Sequence, residues 1–528
     1  MRQFSKYLII FVLAVIVFGY VEWTPSLADP DSFYHARFSA MLKDDWPLAT
    51  SGKFPWLYFT VWRDAFTDHH FLYHLLIIPV ISVVSAIPSV VPAAIAPLIA
   101  VKAGAVILAA AFFLVFYWFL RAHKIYGAFF YTLIPLLSGG TLYRFGLPKA
   151  PVLSAIFLIL ILYCLFRKKY WRLAALAFFY VWAYGGWPMM FIFAGFYILA
   201  EILKEKLAGR LNQKILVFER FKPLVAMFFG ALAGLLFNPY FPANIKFYLL
   251  QYGRIFYTGF QNEVRVGNEW YPPSMDFLLT YGFLLWIIGI FSILIFLYGI
   301  MRNKSPRARI DYVAETFAIL FIFGAFLVWT IQSSRNIEYL VPFGVLFFAF
   351  LNNFNREVIK KPGEIFEFIF GKQKTFAAVI LIFLAAVMAV HGLYSVYNVR
   401  NSFAQGAPLQ KYKPAAEWLA TNAPAGGIIF HDRWDTFPNL FYWNTRNYYI
   451  FGADPTSFWA YDRDLYRTYN EIIFAEKKEG LAEIIRQKFN GEYVFLDMQT
   501  RAFDENLKKD RRFKLVYWDW EAKIYKVE

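Results

Sequence analysis

The chain is built from apolar runs separated by brief polar breaks. A first run, Tyr7 to Val21, is followed by a long polar stretch over 22–70. Further runs lie at roughly 71–87, 88–101, 103–120, 125–138, 150–166, 171–187, 188–203, 222–237, 276–300, 312–331, 338–351 and 375–397. A helix of ~20 apolar residues crosses the hydrocarbon core of a bilayer. The pattern therefore predicts a polytopic α-helical membrane protein with about 11–13 transmembrane helices. Lys102 interrupts the region 71–120. Either all three of its pieces cross, or one pair lies along the surface and one crosses. Both readings give an odd number of crossings.

Beyond 397 the period changes. Pro414 opens a short helical stretch that stops at Asn422-Ala-Pro-Ala-Gly-Gly427. Ile428–Phe430, Asn447–Phe451, Tyr493–Leu496, Phe513–Trp518 and Ala522–Val527 read as short strands, and 463–475 and 480–489 as helices. The predicted organisation is a transmembrane part, 1–397, with external loops at 22–70 and 238–275, followed by a small extracytoplasmic α/β domain, 398–528.

Composition agrees: 59% of residues are apolar and 21% aromatic, against 17% charged, which excludes an ordinary soluble chain. The net charge of +16 does not mark a nucleic-acid-binding protein. Residues 398–528 carry 19 Lys and Arg against 18 Asp and Glu, so the excess lies among the apolar runs. There it forms clusters at Arg167-Lys168-Lys169, Lys204 to Lys222, Arg302 to Arg309 and Arg356 to Lys374. Such clusters mark cytoplasmic loops. Following them places 22–70, 139–149, 238–275, 332–337 and everything after 397 outside the cytoplasm. The expected location is a multi-pass protein of the plasma membrane, or of the endoplasmic reticulum membrane in a eukaryote. Arg2 and Lys6 before the first run, with Ser26-Leu-Ala28 after it, resemble a signal peptide, but the many following runs favour a retained first helix. The single Cys164 permits no intrachain disulfide.

Candidate chemistry gathers in the loops assigned to the outer face. The stretch Asp29-Pro-Asp-Ser-Phe-Tyr-His-Ala-Arg37 sits where the first helix meets water. Carboxylates there are costly unless they hold a cation, pair with a base or cap a helix. The same loop closes on Asp68-His69-His70; loop 139–149 supplies Arg144, loop 238–275 supplies Arg265, Asn268 and Glu269, and loop 332–337 supplies Arg335 just before Glu338. Carboxylates suit a hard cation such as Mg²⁺ or Mn²⁺, and arginine suits phosphate through its planar fork. Plainer roles stand beside these. Arg335 could pair with Glu338, His69-His70 could be a hydrogen-bonded surface, and a Trp in a small domain is as often core.

The order of these motifs resembles the GT-C superfamily of integral membrane glycosyltransferases, and most of all the catalytic subunit of oligosaccharyltransferase. Asp31-Ser-Phe-Tyr-His-Ala-Arg37 is similar to that family's first external loop, with an Asp six residues before an Arg. Val266-Gly-Asn-Glu269-Trp-Tyr-Pro-Pro273 is similar to its late-loop motif ending in Glu, and Arg335 to its phosphate-binding Arg. Ile428-Ile-Phe-His-Asp-Arg-Trp434-Asp435-Thr-Phe resembles its double-Trp motif after a strand. The resemblance implies Asp31 and Glu269 as catalytic residues, Arg335 and Arg144 as donor-phosphate ligands, and Trp434 and Asp435 as acceptor contacts. It further implies a divalent cation on Asp31, Glu269 and His69. The chain departs from the family after Arg144, where Phe-Gly-Leu-Pro-Lys149 stands in place of a second acidic pair.

The function so implied is transfer of a sugar or oligosaccharide from a polyprenyl-(pyro)phosphate donor to a protein or glycan acceptor at the outer membrane face. A non-catalytic lipid-glycan binding or assembly protein and a transporter are the alternatives. Against a transporter, polar groups cluster at one face and only Lys102 sits within an apolar run's midst. The topology has a direct test. A tag at position 528 is expected to be digested by protease added to intact cells or spheroplasts. Protection until lysis would place the C-terminus in the cytoplasm.

Overall fold

The computed structural model describes residues 2–207, 217–257, 263–301, 313–354 and 374–528. The basic cluster at 302–309, nearly all of that at 356–374 and part of that at 204–222 lie outside these residues. The apolar runs are helical, because in hydrocarbon only a helix satisfies its own backbone N–H and C=O groups. Among the described residues five helices are long and apolar enough to span a membrane: Phe4–Glu22, Ala93–Ala122, Val313–Gln332, Ser334–Asn353 and Ile382–Ala404. Two bent pairs raise the number to seven, Gly139–Gly146 with Pro151–Phe166 at 114° and Met275–Tyr281 with Phe283–Gly299 at 75°. That is fewer than the apolar runs suggested. Several runs form helices too short to cross alone, such as the 15-residue Phe71–Ser85 and the 14-residue Tyr170–Ala183. The chain is embedded in a membrane.

The ambiguity at 71–120 resolves into one helix, Ala96–Ala122, running straight through Lys102. The pieces 88–101 and 103–120 are therefore not two crossings. The lysine is buried and its ammonium donates to the Ser26 carbonyl at 2.6 Å, which satisfies a group otherwise costly away from water. Residues 139–146 are likewise not a loop. They form the helix Gly139–Gly146, and a Cβ on Gly140 would lie 2.7 Å from Ile337 and 3.2 Å from the Tyr281 carbonyl. Glycine lets this short helix approach its neighbours closely, and the approach carries Arg144 into a buried position.

The chain forms two compact units. The first comprises 1–24, 103–234 and 267–403; the second comprises 25–102, 235–266 and 404–528. The segments 25–102 and 235–266 thus group with the C-terminal stretch 404–528. Backbone pairing explains this for the first segment. Strand β1 (Ser26–Leu27) pairs antiparallel with β2 (Ala407–Pro408). Further along, the amides of Tyr58 and Phe59 donate to the carbonyls of Tyr449 and Ile450, each at 2.9 Å.

The second unit is centred on a five-stranded sheet in the order β4-β3-β5-β7-β6. Its strands are β3 (Ile428–His431), β4 (Tyr448–Tyr449), β5 (Gly491–Asp497), β6 (Phe513–Trp518) and β7 (Ala522–Val527). All five lie where the sequence predicted strands. β3 runs parallel to β4 and β5, and β7 antiparallel to β5 and β6. Helices Lys413–Asn422, Arg463–Ile473 and Leu481–Phe489 also match their expectation. Phe437–Trp443, Pro455–Tyr461 and Arg501–Lys509 were not foreseen, being too short to show a clear period. Phe430, Tyr469, Ile485, Phe489, Val494 and Leu496 form the middle of the core between sheet and helices.

Candidate functional site

In the first unit, four charged side chains from three parts of the sequence meet. Arg144, at the end of the Gly139–Gly146 helix, is almost fully buried and donates from Nε to Glu338 at 2.8 Å and from Nη1 to Glu269. The other oxygen of Glu269 faces the Arg335 guanidinium at 3.5 Å. Arg335 also donates to the Tyr184 hydroxyl at 3.2 Å and lies over the Trp270 ring, 4.3 Å from its centroid. The hydroxyls of Ser333 and Ser334 donate to the Glu269 carbonyl at 2.9 and 3.2 Å, tying the 268–270 turn to the 334–336 turn. Burial alone would raise the Glu269 pKa. The guanidinium groups of Arg144 and Arg335 outweigh it and hold the carboxyl well below the usual carboxylate range. The structure thus brings together Arg144, Glu269 and Arg335. It pairs Glu338 with Arg144, where the sequence offered Glu338 as a partner for Arg335.

In the second unit, Asp31 opens the helix Asp31–Asp44. Asp29 accepts the backbone N–H of Asp31 at 2.9 Å, which makes it a turn residue at the helix entry. One turn after Asp31, His35 shares a 2.7 Å hydrogen bond with His74, whose other ring nitrogen meets the Asp68 carboxylate, also at 2.7 Å. All three are buried. His74 lies in the helix Phe71–Ser85, inside an apolar run, and escaped the sequence reading. Its only signal is its place four residues after His70. His69 stacks on Phe247, ring centroids 5.0 Å apart.

The segment after β3 carries the other expected residues. Trp434 is partly buried against the core of this unit. Asp435 is held by both arms of Arg433, at 2.9 and 2.5 Å. Asp432 is fully buried; it accepts the Asp497 amide at 2.9 Å and the Thr500 hydroxyl at 2.5 Å, and burial pushes its pKa up to about 7.

No protein-family model and no curated protein matches this sequence. Solved structures do. The archaeal oligosaccharyltransferase AglB from Archaeoglobus fulgidus, in complex with an inhibitory peptide and a dolichol-phosphate, superposes with a TM-score of 0.60 at 15% identity, covering 93% of this chain and 69% of that one. The Archaeoglobus fulgidus oligosaccharyltransferase tethered to an acceptor peptide containing the NVT sequon gives 0.60 at 14% identity, covering 99% and 74%. ArnT from Cupriavidus metallidurans in the apo state gives 0.52 at 13% identity, covering 99% and 98%. This is the GT-C fold.

Of the three residues expected to hold a divalent cation, Asp31 and His69 belong to the second unit and Glu269 to the first. Both oxygens of Glu269 are engaged by arginines. Among the described residues no three His, Cys, Asp or Glu side chains are placed to hold an ion. Glu338, Tyr184 and His74 are the site residues that sequence reasoning missed or assigned to other partners.

The charge cluster generates a stability prediction. Glu338→Ala leaves Arg144 buried with one partner fewer, and breaking a buried pair on one side typically costs ~3–5 kcal/mol. The double variant Arg144→Met/Glu338→Met is expected to recover much of that loss. Thermal unfolding of the purified proteins in detergent checks both. A Glu338→Ala midpoint equal to that of the parent would show that the pair does not support the fold.

Proposed function

We propose that this GT-C chain is a membrane glycosyltransferase that moves a sugar or oligosaccharide from a polyprenyl phosphate or pyrophosphate donor to a protein or glycan acceptor on the extracytoplasmic face. The observation that carries the reading is Arg335. It is a partly buried guanidinium held in place by Tyr184 and Trp270, with only a 3.5 Å approach to Glu269. A guanidinium fixed in this way yet loosely paired suits a phosphate oxygen. The proteins of the same fold support the chemistry: one is a complex containing dolichol-phosphate and another is tethered to an acceptor peptide.

In the proposed reaction the acceptor attacks the anomeric carbon while the bond from that carbon to the phosphate oxygen breaks. The lipid phosphate leaves with the bonding electrons, and Arg335 stabilises the charge that develops on it. Asp31 takes the proton from an acceptor hydroxyl, or polarises an acceptor amide. Arg144, committed to two carboxylates, orients Glu269 and through it Arg335. Trp434 and Asp435 are the proposed acceptor contacts, Asp435 presenting itself as an ion pair with Arg433. No step is routed through a metal. A Mg²⁺ or Mn²⁺ requirement enters only through Asp31, and chelation followed by readdition of the ion decides it.

Two outcomes are expected. Asp31→Asn keeps size and hydrogen bonding but loses the charge, and should abolish transfer from lipid-linked sugar while folding is retained. Asp29→Asn should keep substantial activity, because Asp29 serves the helix entry. Near-normal turnover by Asp31→Asn would remove it from the mechanism, and the reverse ranking would make Asp29 the carboxylate. Arg335→Ala should weaken donor binding roughly ten- to hundred-fold, the effect of losing one charge-assisted contact of ~1.5–3 kcal/mol. An unchanged affinity for the donor would take Arg335 out of the site. Donor binding without transfer in the parent protein would favour a non-catalytic lipid-glycan binder.

A further inference from the structure

Arg37 lies on the Asp31–Asp44 helix of the second unit, and among the described residues no carboxylate comes within ion-pair distance of it. Its Nη2 donates to the Thr445 hydroxyl at 3.2 Å, and its Nε is buried with no acceptor. Burial draws its pKa below the ordinary value, and the influence of Tyr442 and Asp44 does not restore it. Arg37 is partly buried, and the buried Arg144 by contrast has two carboxylates. A guanidinium drawn partly out of water without a counter-charge is costly to a fold.

The helix packed against this one repeats the pattern. Phe33 and Tyr34 of the Asp31–Asp44 helix meet Tyr442 and Phe441 of the Phe437–Trp443 helix, with ring centroids 5.8 and 6.3 Å apart. On that second helix, Asn439 Nδ2 and Trp443 Nε1 are also buried donors without an acceptor. They stand four residues apart and so share a face. The Lys413 ammonium lies over the Trp443 ring, 5.0 Å from its centroid. The two packed helices thus leave three N–H donors unsatisfied, one of them on a cation, beside the hydroxyls of Ser32 and Ser39.

We propose that Arg37, with Thr445 beside it, is an anion-binding site that takes a phosphate group. The forked guanidinium offers Nε and Nη to two oxygens of one oxyanion, and the Thr445 hydroxyl stands within reach of a third. Arg37 belongs to the second unit and Arg335 to the first. The site does not rest on the reaction proposed above, because its readout is stability and not transfer. A lipid phosphate headgroup and a soluble phosphate share this chemistry.

The test is thermal unfolding of the full chain in detergent, without and with two probes, inorganic pyrophosphate and a short-chain polyprenyl phosphate. For the parent protein a saturating probe is expected to raise the midpoint by roughly 2–4 °C. Arg37→Gln should be at least as stable as the parent without probe, because it removes an uncompensated, partly buried charge; set into Arg335→Gln, where the proposed donor arginine is gone, it should abolish the shift that Arg335→Gln alone retains. Arg335→Gln should keep the shift. A response to both probes assigns the site to the phosphate group itself, and a response to the lipid alone assigns it to a headgroup. Two results would overturn the assignment. One is a shift that persists in the double variant Arg37→Gln/Arg335→Gln. The other is a parent that does not respond while Arg37→Gln loses stability, which would make Arg37 an internal tie between the two helices. If Arg37→Gln does not fold, Arg37→Met is read in the same way, and direct binding of labelled pyrophosphate to the parent stands beside it.

Discussion

Charge held away from water must be balanced, and in this molecule that constraint decides which residues can do chemistry. Arg144 and Glu338 are almost wholly buried, 6% and 1% exposed, and each would be prohibitive alone. Together with Glu269 they form a bonded chain of cation and anions, and Arg335 completes it. The turns at 268–270 and 334–336 are further joined by serine hydroxyls and by a backbone bond from Ser334 to Tyr271. Segments from three parts of the sequence are thus joined by charge pairs whose rupture on one side would leave a buried charge unpaired.

That arrangement separates two arginines that look alike in the sequence. Arg144 spends its donors on carboxylates at close range and is sealed in. Arg335 is 19% exposed, its approach to Glu269 is longer, and its other contacts are a neutral hydroxyl and a ring face. Contacts of the second kind hold position without neutralising charge. Arg144 is thus held by carboxylates, while Arg335 keeps much of its charge unneutralised.

The broad architecture was legible because it follows from periodicity. Long apolar runs can only be helices in a bilayer, and the β-rich runs after 428 matched all five strands of the sheet. Motif order likewise pointed to the GT-C fold before any superposition. What the sequence hid follows from long-range pairing. Nothing local says that Glu338 belongs to Arg144, 194 positions away, or that Leu57 bridges to Tyr449 and draws the first polar loop into the C-terminal unit. His74 was masked by its apolar neighbours, since a histidine in such a run reads as bulk until the partners at Asp68 and His35 are seen. Lys102 misled in the opposite sense: a charge in an apolar run looked like a break, but the helix continues through it and the Ser26 carbonyl accepts from its ammonium.

The departure from the family pattern after Arg144 also acquires a physical meaning. Where a second acidic pair would stand, the chain carries Lys149, and its charge is one of those that depress the Glu269 carboxyl. Counting the groups around Glu269 gives three cations, Arg144, Arg335 and Lys149, against two carboxylates, Glu269 and Glu338. A neighbourhood with one positive charge in excess repels a divalent cation and attracts an anion. The missing acids and the engaged Glu269 are then one feature: the charge balance around this carboxylate is positive.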